Sequence, residues 1–172
     1  IYTMKYYIIA GEASGDLHAS NLINQLFKLD PKAQVRCWGG DLMQQQGAQL
    51  VKHYRELAFM GIIPVLLNLG TIAKNLKFCK ADLLQFRPDV VIFVDYPGFN
   101  LRMARFAKQN RIKTIYYISP KIWAWKTKRV HKIKRSIDLM LTIFPFETQF
   151  YKKWNYSVTY VGNPLFDAIE AN

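Results

Sequence analysis

The chain has 172 residues, 51% of them hydrophobic, which is enough to bury one substantial core and is near the upper end for a single domain. Its formal net charge of +12 favours an anionic partner, whether nucleic acid, a phosphorylated substrate or an acidic membrane surface. Cys37 and Cys79 have no metal-ligand spacing, the N-terminal residues lack a secretion-signal pattern, and no apolar run approaches the ~20 residues that cross a bilayer. These features predict a reducing, cytoplasmic compartment.

Short, continuous apolar runs alternate with amphipathic stretches along most of the chain. Such runs are typical of strands that are covered on both faces. The predicted strands are Tyr6–Ala10, Val35–Trp38, Val90–Val94, Thr114–Ile118, Leu139–Phe144 and Val158–Val161. The predicted helices are Leu17–Leu29, Leu69–Phe86, Phe99–Gln109, Thr127–Ser136 and Glu147–Trp154. This succession predicts an α/β fold with a parallel, doubly wound sheet and right-handed crossovers.

Three of the predicted strands are followed by segments that contain glycine or proline together with acidic or aromatic residues. These segments are 11–16, 95–100 and 119–125. Ligands of doubly wound sheets bind at the carboxyl ends of the strands. We therefore expect the three segments to lie along one edge of the sheet and to contribute to a binding site.

The first segment, GEASGD, is neither a dinucleotide-binding fingerprint nor a P-loop. Ala13 stands where the fingerprint requires glycine, and no Gly-Lys-Ser/Thr follows. Gly11 and Gly15 permit a tight turn and a close approach of the backbone. The segment is therefore not predicted to hold a phosphate in either of these two ways.

The polar residues of this segment allow two interpretations. Ser14 or Asp16 can cap the helix predicted near Leu17, because their oxygens accept hydrogen bonds from free N–H groups. Capping does not account for Glu12, which is better explained as accepting hydrogen bonds from a sugar hydroxyl or as ordering a neighbouring loop.

Asp95 follows five apolar residues and precedes Tyr-Pro-Gly, which turns the chain abruptly. A carboxylate at such an edge is partly removed from water and is suited to act as a general base. The alternatives are a helix cap or a partner for a nearby lysine.

The third segment contains Trp123 and Trp125. The two rings can form an apolar wall for a sugar or an acyl chain, or they can simply cover the edge of the sheet.

The residues that follow, 126–136, are strongly basic. Together with the residues just before them, the segment from Lys121 to Arg135 holds seven lysines and arginines and no acid. This excess indicates a surface for phosphate or anionic lipid, the alternative being a solvated helix face, and no nucleic-acid-binding module is present.

The segment 59–72, FMGIIPVLLNLGTI, is apolar but is interrupted by Gly61, Pro64 and Gly70. A helix that is apolar all round is normally part of the core. If this segment is exposed, it predicts an interfacial membrane anchor next to Lys74 and Lys77.

Six segments together resemble the lipid-A-disaccharide synthase family, a group of bacterial glycosyltransferases, over residues 4–166. They occur in a single order and are AGEASGD, ELAFMGI, PDVVIFVDYPGFN, YYISPKIWAWK, RVHKI and FPFE. The resemblance implies a Rossmann-like N-terminal, acceptor-binding domain (4–166) of a GT-B enzyme, followed from 167–172 by the start of a linker to a UDP-sugar-binding domain. Two positions depart from the family pattern, Gly98 and Asn163.

The resemblance also implies an inverting transfer of 2,3-diacylglucosamine from its UDP derivative to lipid X, which is 2,3-diacylglucosamine 1-phosphate. Asp95 matches the family's proposed base, and no cofactor and no metal are implied. The implied substrate-binding residues are Gly11, Glu12, Ser14, Gly15, Asp16, Asn100, Ser119, Trp123 and Trp125. The implied membrane-contacting residues are Ile62, Val65, Leu66 and Leu69.

The implied partners are the two glycolipids and an anionic membrane surface, without nucleic acid, and homo-oligomerisation is left open. The expected location is cytoplasmic and peripheral, at the inner face of the bacterial inner membrane. Two alternatives from other classes are a non-catalytic module that binds anionic lipid or nucleic acid, and a nucleotide-sugar epimerase.

Overall fold

The structure is a computed structural model that describes residues 2–57, 69–121 and 128–170. The chain divides into two compact units, Ile1–Val90 and Val91–Asn172. Within these residues, seven strands form a parallel sheet with helices along the connections, which confirms the predicted α/β fold. Within the described ranges, no helix is both long enough and apolar enough to cross a bilayer.

In the first unit, strands and helices alternate and the strand order is β3-β2-β1. The elements are β1 (Lys5–Ala10), α1 (Ala13–Leu29), β2 (Gln34–Gly39), α2 (Asp41–Gln45), β3 (Gln49–His53), α3 (Tyr54–Leu57) and α4 (Leu69–Phe86). The register places Tyr7 opposite Arg36 and Arg36 opposite Gln49.

A polar network lies inside the first unit. The Tyr7 hydroxyl donates to Asp82 Oδ2 at 2.7 Å and accepts from Trp38 Nε1 at 2.8 Å. Arg36 Nε donates to the same carboxylate oxygen at 2.8 Å, and the two side chains form an ion pair. Buried polar groups are expensive unless they are paired, so this network fixes how α4 packs on β1 and β2.

In the second unit the strand order is β4-β5-β6-β7. The elements are β4 (Val90–Val94), α5 (Pro97–Gln109), β5 (Lys113–Tyr117), α6 (Arg129–Ser136), β6 (Leu139–Thr142), α7 (Pro145–Lys152), β7 (Thr159–Tyr160) and α8 (Pro164–Glu170). Every residue of β4 is buried, as its apolar sequence requires. Val130 and Ile133 of α6 and Ile137, which follows the helix, are also buried, so this side of α6 belongs to the core.

Some predicted bounds are wrong for identifiable reasons. Helix α1 begins at Ala13, not near Leu17, because the chain already turns after an extended Glu12. Strand β6 ends at Thr142 because Phe144 is the N-cap of α7 and Pro145 opens that helix. The short elements α2, β3, α3 and α8 were not predicted.

Candidate active site

Asp95 directly follows β4 in a tight, strained turn. Asp95 has φ +46° and Tyr96 has φ +49°, so two successive non-glycine residues adopt the left-handed conformation. Each such residue costs about 1–3 kcal/mol and persists only where its surroundings fix it. Tyr96 is the N-cap of α5, which places Asp95 one residue before the helix cap. Asp95 itself is half-buried.

Three hydrogen bonds hold the backbone of Asp95. Its N–H donates to the carbonyl of Tyr117 in β5 at 3.2 Å. Its carbonyl accepts from Asn100 Nδ2 at 2.9 Å and from the Tyr116 hydroxyl. The turn is thus fixed from α5 and from β5, and these bonds offset part of its strain.

Asn100 and Tyr116 are both completely buried. The Asn100 amide also donates to the carbonyl of Val94 at 3.4 Å, so its contacts lie beneath the turn. This geometry favours a positioning role for Asn100 over the direct substrate contact implied by the resemblance. Burial raises the pKa of the Tyr116 phenol, and the negative charge of Asp95 raises it further, whereas Arg129 lowers it. Tyr116 therefore stays protonated and lies within the electrostatic reach of both charges.

Ser119 lies after β5, the strand next to β4. It is buried, and its hydroxyl shares a hydrogen bond with that of Tyr151 on α7. Ile118, just before it, has φ +65°. Left-handed residues therefore follow both strands, Asp95 and Tyr96 after β4 and Ile118 after β5.

Glu147, the last residue of the FPFE segment (144–147), has a structural role at the start of α7. This carboxylate is buried, and its Oε2 accepts from the N–H groups of Ile143 at 3.1 Å and Phe144 at 3.0 Å. Glu147 thus caps the start of α7 and holds the connection from β6.

In the first unit, Asp16 caps a helix other than the predicted one. Its carboxylate accepts from the backbone N–H groups of Gly40 at 2.9 Å, Leu42 at 3.2 Å and Met43 at 3.0 Å. These groups open α2, so the interpretation of Asp16 as a cap of the helix predicted near Leu17 is wrong. A Cβ built on Gly40 would lie 2.6 Å from Asp16 Oδ2 and 2.4 Å from Tyr54 Cε1, so this contact requires glycine.

The remaining polar side chains of the first segment are accessible. Glu12 is the N-cap of α1, but its side chain makes no capping hydrogen bond. Glu12 and Ser14 are exposed, whereas Gly11 and Gly15 are buried. The arrangement leaves Glu12 and Ser14 available to a ligand and gives the two glycines a packing role.

Several predicted residues, Trp123, Trp125, Ile62, Val65 and Leu66, lie outside the described residues. Leu69, the first residue of α4, is 52% exposed. Among the described residues, no group of three or more histidines, cysteines or acids could hold a metal ion.

Sequence reasoning missed Tyr116 and Tyr151. Tyr116 lies in a predicted strand and Tyr151 in a predicted helix, and each carries a hydroxyl that must find a partner when it is buried. That requirement was the available signal, because a phenol within a buried strand predicts a hydrogen bond to a neighbouring segment.

Comparison with known proteins identifies close sequence relatives. A family model described as lipid-A-disaccharide synthetase matches residues 6–172. The chain is 44% identical over 162 residues to the lipid-A-disaccharide synthase of Geobacter metallireducens, covering 94% of this chain and 42% of that protein. It is 43% identical over 165 residues to lipid-A-disaccharide synthase 1 of Legionella pneumophila, covering 95% and 43%. The chain thus spans less than half the length of these relatives.

Solved structures show the same fold at low sequence identity. UDP-N-acetylglucosamine 2-epimerase from Rickettsia bellii has a TM-score of 0.67 at 14% identity, with 99% of this chain and 47% of that chain covered. UDP-GlcNAc 2-epimerase from Neisseria meningitidis bound to UDP-GlcNAc has a TM-score of 0.63 at 11% identity, covering 99% and 49%. These likenesses confirm the Rossmann-like fold.

Proposed function

Because the chain belongs to the lipid-A-disaccharide synthetase family, we propose that it forms the acceptor-side part of an inverting glycosyltransferase of lipid A biosynthesis. The donor is UDP-2,3-diacylglucosamine and the acceptor is lipid X. The products are the β-1′,6-linked lipid A disaccharide and UDP.

The observation that carries this proposal is the turn at Asp95, whose backbone is held by hydrogen bonds from α5 and β5. Inversion in one displacement requires a base that removes the proton of the acceptor 6-hydroxyl as its oxygen attacks the anomeric carbon of the donor. The new carbon–oxygen bond forms on the face opposite UDP, and UDP leaves with the electron pair of the bond that breaks. A rigidly held carboxylate at a strand end can accept this proton, and such positioning supplies a large part of catalysis.

Glu12 and Ser14 are the exposed polar residues that we assign to hydroxyl groups of the sugars. Gly11, Gly15 and Asp16 shape that segment, and Asn100 and Ser119 shape the segments after β4 and β5. Trp123 and Trp125 are proposed to line the sugar or the acyl chains. No metal is required, since cations and helix N-termini can stabilise the departing UDP.

We further propose that the protein lies at an anionic membrane surface, where both lipid substrates reside. The half-exposed Leu69 and the exposed cations of α6 support this location. Replacing Ile62, Val65 and Leu66 with serine should release the protein from anionic vesicles while leaving it folded. An unfolded variant, together with a wild type that ignores vesicles, would place these residues in the core instead.

The proposed activity is tested by incubating the full-length enzyme with both glycolipids and measuring disaccharide and UDP. Conversion of a UDP-sugar without acceptor would indicate an epimerase, and binding without turnover would indicate a binding module. Residues 1–172 alone should form no disaccharide, because one domain cannot present both substrates in attack geometry. Disaccharide formation by residues 1–172 alone would refute the assignment of the two substrates to two different domains.

A further inference from the structure

A basic groove lies between α5 and α6 in the second unit. Its volume is about 670 Å³, which is within the usual range for small-molecule sites. Six cations line it, three from each helix: Arg102, Arg105, Lys108, Arg129, Lys132 and Arg135. Among the described residues, no acid lines it.

The cations form two ladders with a three-residue spacing. Residues three apart share one side of a helix, so each ladder faces the groove. Like charges at this spacing destabilise a helix. Of the described acids, Asp138 pairs with one of the six, Lys108. An anion bound in the groove would relieve the repulsion among the remaining five.

The two ends of the groove differ. Pro97 and Gly98 line one end, two to three residues after Asp95, and a Cβ built on Gly98 meets no atom within 4 Å, so space is open there. Arg129 contributes to the lining and acts electrostatically on Tyr116, the residue that holds the Asp95 carbonyl. The opposite end is lined by Lys108, Gln109 and Ser136.

We propose that this groove binds the phosphate monoester of a sugar 1-phosphate headgroup and directs the sugar towards Asp95. Arginine is suited to this task because its planar guanidinium donates two parallel hydrogen bonds to phosphate oxygens. The excess of cations attracts a dianion, and the volume of about 670 Å³ is large enough for one sugar phosphate. This site rests on the proposed function, because the proposed acceptor carries such a phosphate.

Glucosamine 1-phosphate is the probe, titrated calorimetrically into the 172-residue chain. Arg105→Gln combined with Lys132→Gln removes one cation from each ladder at exposed positions. Losing two charge-assisted contacts should weaken binding at least tenfold. The control, Lys113→Gln combined with Lys153→Gln, removes the same charge from exposed positions outside the groove and should change binding less than twofold.

Equal weakening in both double variants would show a response to net charge and would overturn the site. Binding to phosphatidylglycerol vesicles that the groove variant abolishes, with no binding of glucosamine 1-phosphate, would identify a membrane-lipid site and would also overturn the proposal. Inorganic phosphate that binds as tightly as the sugar phosphate would overturn the role of the sugar.

Assays of the full-length enzyme separate this site from the proposed function. If the groove variant forms disaccharide with an unchanged KM for lipid X, the site is wrong and the function stands. If glucosamine 1-phosphate binds in the groove but the wild type forms no disaccharide, the function is wrong and the site stands.

Discussion

Replacing Tyr116 with phenylalanine tests whether the buried scaffold holds Asp95 in place. The change preserves the buried ring and removes the hydroxyl that donates to the Asp95 carbonyl. A hydrogen bond of this kind contributes about 1 kcal/mol to stability. For a chain of this size, that loss lowers the melting temperature by about 2–4 °C.

Loss of this hydrogen bond should also lower the rate of the proposed reaction, because it weakens the turn that positions Asp95. The bonds from Asn100 and Tyr116 help to offset the cost of two successive left-handed residues. Removing about 1 kcal/mol from this balance changes the population of the turn by at most about fivefold. We therefore expect kcat of the full-length enzyme to fall up to about fivefold, with little change in KM.

Tyr156→Phe is the matched control. The Tyr156 hydroxyl donates to the carbonyl of Ile137 at 3.0 Å, so this variant also loses a bond from a phenol to the backbone. Both variants should lose similar stability in urea unfolding, and only Tyr116→Phe should lose kcat. Equal stability loss with unchanged kcat in both variants would refute the link between Tyr116 and the turn at Asp95.

Two further outcomes are expected for the stability of the chain, both measured by urea unfolding. Gly40→Ala forces a Cβ into two side chains and should lower the free energy of unfolding by about 1–3 kcal/mol. In the control, Gly98→Ala, the Cβ enters open space and should change this free energy by less than about 0.5 kcal/mol. Similar losses in the two variants would contradict the packing at Gly40. Partial burial by itself would raise the pKa of Asp138, but hydrogen bonds from Lys108 and Thr114 outweigh it and hold the pKa below its usual range. The ionised Asp138 therefore stabilises the folded state at neutral pH, and the advantage of wild type over Asp138→Asn should shrink as the pH falls below about 4; an advantage that does not change with pH would contradict this linkage.

The parts of the fold that were predicted are those with strong local patterns. The bounds of α4 and β4 match the prediction at both ends, because an amphipathic repeat and a continuous apolar run are unambiguous. The position of Asp95 follows from where that run ends. Strand β3 was missed because QLVKH holds few apolar residues and none of its residues is fully buried.

The supports of the candidate site could not be predicted, because they are contacts between distant residues. Tyr116 lies 21 residues from Asp95, and Asp16 lies 24 residues from Gly40. The sequence allowed capping as one interpretation of Asp16, but of the helix predicted near Leu17 and not of α2, whose first N–H groups it actually caps. A cap is recognised by its residue type, whereas its partner is decided by how the strands and helices pack.

Asp95→Asn in the full-length enzyme is the most direct test of the proposed mechanism. Asparagine keeps the shape of the side chain and can still hydrogen-bond the acceptor hydroxyl, but it cannot take the proton as that hydroxyl attacks. The single-turnover rate should fall by about 10²–10⁴, with substrate affinity and melting temperature little changed. A folded variant that keeps the wild-type rate would remove Asp95 from the mechanism and leave Glu12 as the next carboxylate to test.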